Sequence, residues 1–540
     1  MANIFYTFIL RFCQAGLDAS LTLVMGVIVA GIIHRMVGPA ATRRLFGSGW
    51  GGPLRGWAAG MLLPVCSLGV IPVARELRRA GVPGGTVLAF VLTGPLLNPI
   101  SFLYGLTLGE PKVIISFAAI TLLKTAVVAY LWEAWFGGAA DAAFAVERAR
   151  VADAIPLPIA GAKRMVSVLV TAARELSGHD VIYYTIGLLG NAILSCLIPH
   201  GALQRTMSHL DHLAPLRMLF LSIPAYVSPL SGMMRIGSMF EHGNSIGAAF
   251  ILLVLGIGMS LGTLTWLLHD FGRRIAPWFV LYTIIVLGIG YACEPLLWDS
   301  RKVEADHTHA FDDLSSPFYK NRETAAAQMA DVVRSKLAQQ FGMQEELALI
   351  CLGSLLVSGI VLRIADQSGK LERWLLAPPA PGKAKQWDFS LSGVALGGTA
   401  ITGLIVFSVV GAYVYYPNRE FCLERMRGIS ADTRDMLRQN QVNESIRNLE
   451  QWDLVARQLQ VGVYIRDFHV THEQAKTVDD LREAIEVVRD DLRAGKIVEA
   501  KQKFDEIVFT GEYKACRDCY GPKTSQAREP QRGLSMLTLN

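Results

Sequence analysis

Charge is scarce in this chain: only 18% of its 540 residues are Asp, Glu, Lys or Arg, and the net charge of +5 is spread out. No basic, aromatic-interleaved surface of the kind that binds nucleic acid can be read from it. Cysteine is sparse as well. Eight in this length do not make a disulfide scaffold, and only Cys516 and Cys519 lie close in sequence. A Gly-Lys-Ser/Thr phosphate loop is missing, so ATP-driven pumping would need another subunit. No nucleophile–base constellation argues for an enzyme. The N-terminus, MANIFYTFILRF, has neither the charged start nor the small-residue cleavage site of a secretory signal, and reads as a short interfacial segment before the first span.

What is abundant is apolar sequence, 52% of the residues. Candidate spans of near-bilayer length cover 17–37, 85–108, 112–136, 181–199, 246–269, 275–298, 345–363 and 389–415. Two further apolar segments, 56–74 and 213–235, are crowded with helix breakers. The stretch 62–99 alone holds Pro64, Gly69, Pro72, Gly81, Pro83, Gly94, Pro95 and Pro99. Each breaker frees or removes a backbone hydrogen bond, and lipid tolerates that only where protein or a wet cavity receives the freed group. Broken helices near mid-membrane are where transporters hold substrate, although such breakers also serve kinked packing helices.

The order span, broken segment, span, span in 1–136 recurs in 165–298. Gly81 to Phe90 echoes Gly243 to Phe250, and Pro64-Val65-Cys66 echoes Pro224-Ala225-Tyr226. The second copy looks degenerate, with Gly258-Met259 opposite Asn98-Pro99. Loop charge favours re-entrant over fully crossing broken segments. Re-entry puts Arg35, Arg75, Arg78, Arg79, Arg174, Arg273, Arg274 and Lys370 on the same cytoplasmic side. The expected fold is thus an all-α polytopic membrane protein with two inverted repeats, 1–136 and 181–298, joined by a cytoplasmic linker, 137–180. An external loop (299–344), two further transmembrane helices (345–415) and an external soluble helical domain with a disordered tail (416–540) follow. Leu454, Val455 and Leu459, then Leu481, Ile485, Val488 and Leu492, set the helical spacing of that domain.

Cys66-Ser67-Leu68-Gly69-Val70-Ile71-Pro72, then Gly94-Pro95-Leu96-Leu97-Asn98-Pro99, resembles the predicted-permease family that includes ArsP-type organoarsenical exporters. The likeness covers roughly residues 1–298. That family reads Cys-Ser-Cys-Gly where this chain has Leu68, so one thiol remains. The resemblance implies a trivalent arsenical cargo, for which a thiol is a natural soft ligand. Residues 420–520 resemble a cytochrome c-prime four-helix bundle, in which Cys-x-x-Cys-His closes the last helix. Here Cys516 and Cys519 are kept and Tyr520 replaces the histidine. The resemblance therefore implies a domain without haem, its two thiols forming a disulfide.

Candidate substrate-binding residues are Cys66, Ser67, Gly69, Pro72, Thr93, Pro95, Asn98 and Pro99, with Ser228 and Ser231 in the second repeat. Asn98 either offers its amide to a substrate or caps freed backbone groups. Lys124 lies well inside its span, where an ionised group is costly, and is the candidate coupling residue, with Asp18 or Glu133 as partner. Asp18, His34 and Glu133 read as interfacial, and Tyr226 and Met233 as packing residues. His307, His309 and Asp312 can hold a divalent metal or belong to a solvated linker. The expected function is a permease of the bacterial inner membrane exporting a small metalloid, metal or organoarsenical-like solute. Its C-terminal domain would be periplasmic, and a homo-oligomer or a periplasmic partner would form through 416–540. The alternative is a non-transporting, membrane-anchored sensor or redox module.

Overall fold

The computed structural model describes residues 2–47, 51–96, 98, 101–102, 105, 111–137, 162–203, 206–241, 243–298, 310–318, 326–340, 343–376 and 416–521, with scattered positions between 395 and 413. They form two compact units, 1–409 and 410–540. Four helical stretches among them are long and apolar enough to cross a bilayer: Asn3–Val37, Lys112–Phe136, Leu261–Leu297 and Glu345–Ala365. Lys163–Leu176 and Val181–Leu197, bent by 54°, make a fifth if they are one span. The chain is an all-α polytopic membrane protein.

Helix α1, Ala2–Ile32, absorbs the segment expected to lie at the interface, because no proline interrupts it. It ends in a widened turn, Ile33–Val37, closed by Gly38 at φ 77°. Asp18 is therefore placed mid-helix, away from the span end where the sequence suggested it.

The first half continues with α2 (Pro39–Phe46), α3 (Gly51–Leu62), α4 (Val70–Arg79), α5 (Gly84–Thr93) and α6 (Pro111–Phe136). The second half has α7 (Ala162–Leu176), α8 (Val181–Leu197), α9 (Ala214–Ser222), α10 (Pro229–Glu241), α11 (Ile246–Ile251), α12 (Leu261–Phe271) and α13 (Ile275–Leu297). Each half thus carries a short helix pair split at its centre, α3/α4 and α9/α10. Arg43 Nη1 donates to Ala80 O at 2.9 Å, joining the chain before α3 to the chain after α4. Ser245 N donates to Met207 O at 2.9 Å, and Ser208 pairs with Asn244, joining the two ends of the second segment. Both broken segments therefore return to the end they started from.

Two spans expected to be continuous are broken as well. α5 stops at Thr93 and gives way to a turn. α11 widens over Leu252–Ile257 and stops, and α12 restarts where Ser260 Oγ accepts from Thr263 N at 3.3 Å. A helix break thus falls at 258–260 as well as after Thr93. A glycine and a serine cap achieve at 258–260 what Pro95 marks after α5. The halves match again at Gly85 N, which donates to Glu133 Oε1 at 2.7 Å, and Gly247 N, which donates to Glu294 Oε2 at 2.7 Å. A carboxylate late in α6 or α13 thus holds the N-terminus of a broken helix.

The loop read as external linker is partly folded. Buried Arg11 of α1 donates to the carbonyls of Asp312 and Ser315 at 2.7 Å each. Leu10 packs with Phe318, Met329 and Val333, which brings α14 (Ala326–Gln340) to α1. Helices α15 (Met343–Ala365) and α16 (Lys370–Leu376) follow.

The second unit holds α17 (Arg419–Arg438), α18 (Val442–Asp467), α19 (His472–Arg493), α20 (Ile497–Phe509) and α21 (Glu512–Tyr520). A four-helix count was expected. A break at Thr510–Gly511 separates the helix carrying both cysteines from α20. The Thr471–Gln474 capping box starts α19, and Gly495 at φ 79° lets the chain turn into α20. Trp452, Leu459, Leu481, Ile485, Val488 and Phe504 fill the core.

Candidate functional site

Cys66 is fully buried in the break between α3 and α4, where its Sγ accepts from Gly69 N at 3.3 Å. The other three breaks gather around it. A side chain on Gly94 would meet Val65 and Val70 at 3.3 Å, so the turn after α5 lies on the Cys66 break. Leu96 in turn packs against Gly258, at the break between α11 and α12. The Thr263 hydroxyl donates to the Ser67 carbonyl, and Leu68 packs against Gly187 and Gly262. The α9/α10 break sends in Tyr226, whose hydroxyl lies beside the Cys66 thiol and the Thr22 hydroxyl. Helix ends from both halves thus converge on one thiol.

Several polar atoms here are buried without a hydrogen bond. Ser67 Oγ is one; the Tyr226 and Tyr184 hydroxyls are two more, on residues 3% and 5% exposed. Tyr184, from α8, is an electrostatic neighbour of Cys66 and of Asp180. Buried polar groups are nearly always paired, and three without a partner lie around this one thiol. Sequence reasoning assigned Tyr226 to packing and passed over Tyr184. A tyrosine among apolar residues carries no signal that its hydroxyl will face a cysteine far away in the chain.

A charged cluster lies beyond Tyr184. Asp180 pairs with Arg75, Arg79 bridges Glu76 (2.5 Å) and Glu175 (2.7 Å), and Glu76 meets His34 Nδ1 at 2.8 Å. Arg78 reaches Asp270 at 3.0 Å. Arg35 and Arg174 both hold Glu372, at 2.6 and 3.0 Å. Of the basic residues that re-entry would collect on one side, Arg75 and Arg79 share Glu175, and Arg35 and Arg174 share Glu372. Beyond Tyr226 lie Asp18, Ser228 and Ser231, the two serine hydroxyls 2.7 Å apart.

The other expected site residues divide. Gly69, Pro72 and Pro95 are buried in or next to the breaks. Thr93 donates to Ala89 O of its own helix at 2.8 Å, and Asn98 Oδ1 caps Ser101 N at 2.8 Å, so both satisfy local backbone. Lys124, 2% exposed, donates to Tyr282 OH at 3.0 Å and lies 4.9 Å from that ring. Neither expected carboxylate partners it: Glu133 holds Gly85, and Asp18 faces Ser231. Pro99, His307 and His309 lie outside the described residues. Among the described ones, no group of three or more His, Cys, Asp or Glu is placed to hold a metal.

In the second unit, Cys516 and Cys519 are free thiols three residues apart on α21. Burial pushes the Cys516 thiol up to about 12, with Cys519 adding to it. Tyr520, where the resemblance would have a histidine, is buried and donates to Gln474 O at 3.1 Å.

Apolar helices of bilayer length, with broken helical segments between them, define a multi-pass membrane protein. Residues 5–294, more than half of the chain, match the family ArsP_1, described as predicted permease, and the protein belongs to that family. UPF0718 protein YcgR of Bacillus subtilis (strain 168) is 39% identical over 79 residues, 14% of this chain and 27% of that relative. The match thus spans about a quarter of the relative's length. No solved structure matches.

Proposed function

We propose that this permease is a secondary transporter that exports a small soft solute, a metalloid, metal or organoarsenical-like species, past Cys66. The observation that carries this reading is the meeting of four helix breaks at a buried thiol flanked by two tyrosine hydroxyls without partners. A thiol favours soft acceptors, while hydroxyls and free carbonyls of the breaks serve the oxygen or hydroxide groups such solutes carry. The charged cluster around Arg35, Arg79 and Arg174 is assigned to the cytoplasmic face, and the Arg11–Asp313 end to the outside, which supports two inverted, re-entrant repeats. On this reading 416–540 is periplasmic and available to a partner or a second copy. Tyr520, bound to backbone within a packed core, supports a unit without haem.

Everted vesicles loaded through this chain with arsenite, phenylarsine oxide or Zn²⁺ test the proposal. Uptake of one probe, lost in Cys66→Ala and weakened in Tyr184→Phe and Tyr226→Phe, is expected. In the same assay Lys124→Ala asks whether that residue couples transport or only packs on Tyr282. Absence of flux, with a partner or haem bound by 416–540, would favour the sensor or redox module instead.

A further inference from the structure

We propose that Asp18 is the proton-carrying carboxylate of this permease, binding one proton from one side of the membrane and releasing it to the other in each cycle. This rests on the carrier reading above. Because α1 starts at Ala2, Asp18 sits near the middle of a helix of 31 residues. An ionised side chain is costly there unless it is paired or used. Its carboxylate is in the electrostatic neighbourhood of Ser231 of α10, whose hydroxyl is 2.7 Å from Ser228 Oγ. It is also in the electrostatic neighbourhood of Tyr226, whose buried hydroxyl lacks a hydrogen bond and stands beside Cys66. Asp18, Tyr226 and Cys66 thus form a row from a titratable carboxylate to the proposed cargo site.

The charges facing Asp18 leave room for a proton. Its strongest charged neighbours are the cation Arg235 of α10 and the acidic Asp313 of the folded loop and Glu345 of α15. Arg235 gives its ion pair to Asp313 at 3.8 Å, and Arg11 also goes to Asp313, at 3.3 Å. Among the described residues Asp18 makes no ion pair, and one bound proton would neutralise a mid-helix charge that nothing else offsets. A hard metal cation would need about six oxygen ligands; one serine hydroxyl does not supply them. Protonation also changes what the row can do. A neutral Asp18 can donate to Ser231 or Tyr226, and an ionised one can only accept.

The test uses the full chain in proteoliposomes with two independent readouts. The first is infrared difference spectroscopy of the protonated carboxyl band while the pH is stepped from acid to neutral. A titrating band in the wild type that is missing in Asp18→Asn and restored in Asp18→Glu is expected. The second is movement of phenylarsine oxide. Asp18→Asn is expected to lose at least tenfold of the flux driven by a pH gradient while keeping exchange of the probe between equal pH values. Absence of the band in the wild type overturns the proposal, and so does gradient-driven flux that survives in Asp18→Asn. A band that titrates with no flux of the probe in the wild type brings down the carrier reading, and the coupling role with it.

Discussion

Gly26 of α1 and Gly69 of the first break touch backbone to backbone: the direction in which Gly26 would carry a side chain is filled by the Gly69 carbonyl. Gly69 in turn faces the Thr22 carbonyl, 2.5 Å from where its own Cβ would lie. This close approach seats the Cys66 break against the first span. In the second half Gly190 of α8 does the same for the Pro224 carbonyl, at 2.8 Å.

Gly26→Val is therefore expected to destabilise the protein by about 1–3 kcal/mol through overpacking against backbone that cannot move aside. It should also abolish handling of cargo. Gly16→Ala, on the same helix with nothing within 4 Å of its Cβ, serves as control and should be neutral or slightly stabilising. Thermal unfolding in detergent separates the two.

The carboxylates that hold the broken helices are unequal. Glu294 receives Gly247 N together with Ser245 Oγ and His209 Nδ1, each of the last two at 2.5 Å. Glu294→Ala leaves several buried donors without an acceptor, an expected loss of about 2–4 kcal/mol. Hydrogen exchange should quicken at residues 245–251 and remain as in the wild type at 84–93. Glu133→Ala should show the reverse pattern.

Arg11 ties residues 312–315 to α1 through two carbonyls and Asp313. Arg11→Ala should free this loop, with cleavage by an added protease appearing between 310 and 318 while the spans stay protected. Arg11→Lys should rescue little, because an ammonium cannot reach the same acceptors in a fork.

Removing a hydroxyl that makes no hydrogen bond should cost little stability. Tyr184→Phe and Tyr226→Phe are expected to shift the unfolding temperature by no more than a few degrees and to lower flux of the soft probe at least fivefold. A large loss of stability with unchanged flux would assign both hydroxyls to packing.

The C-terminal unit offers a pH test. Burial alone would push Asp453 up, but Arg457 and Arg482 overturn that and hold its carboxyl well below the usual range. Asp453 meets Arg482 at 2.7 Å and Arg457 at 3.1 Å. A depressed carboxyl stabilises the fold above its unfolded value, about 3.9, and that contribution is lost as the pH falls further. A fragment spanning 416–521 should hold a steady unfolding temperature from neutral pH down to about 4 and lose it below. In Asp453→Asn the neutral-pH value should already be lower, by about 2 kcal/mol in stability, with a flatter acid limb.

Cys516 should resist alkylation at neutral pH, since its thiol is fully buried and burial keeps it protonated. Mass spectrometry after a maleimide pulse should find Cys519, partly exposed on the same helix, modified before Cys516.

The sequence by itself determined the class of this protein. Apolar runs of bilayer length, interrupted by Pro64, Pro72 and Pro95, require helices and require breaks in them, because local propensity and hydropathy act over neighbouring residues. Cys66, Ser67 and Ser228 could be marked for the same reason, as polar groups next to breakers. The break at Gly258 and the placing of Asp18 were less legible: a capped break needs no proline, and the start of α1 shows no signal distinct from the span it joins. Which groups gather around the Cys66 break was decided by tertiary structure alone. Tyr184, Tyr226, Thr22 and Thr263 come from four elements far apart in the chain, and only packing of glycine against carbonyl at Gly26, Gly190 and Gly262 brings them within reach. Pattern along the chain sets what each segment is; close approach between segments sets what they can bind.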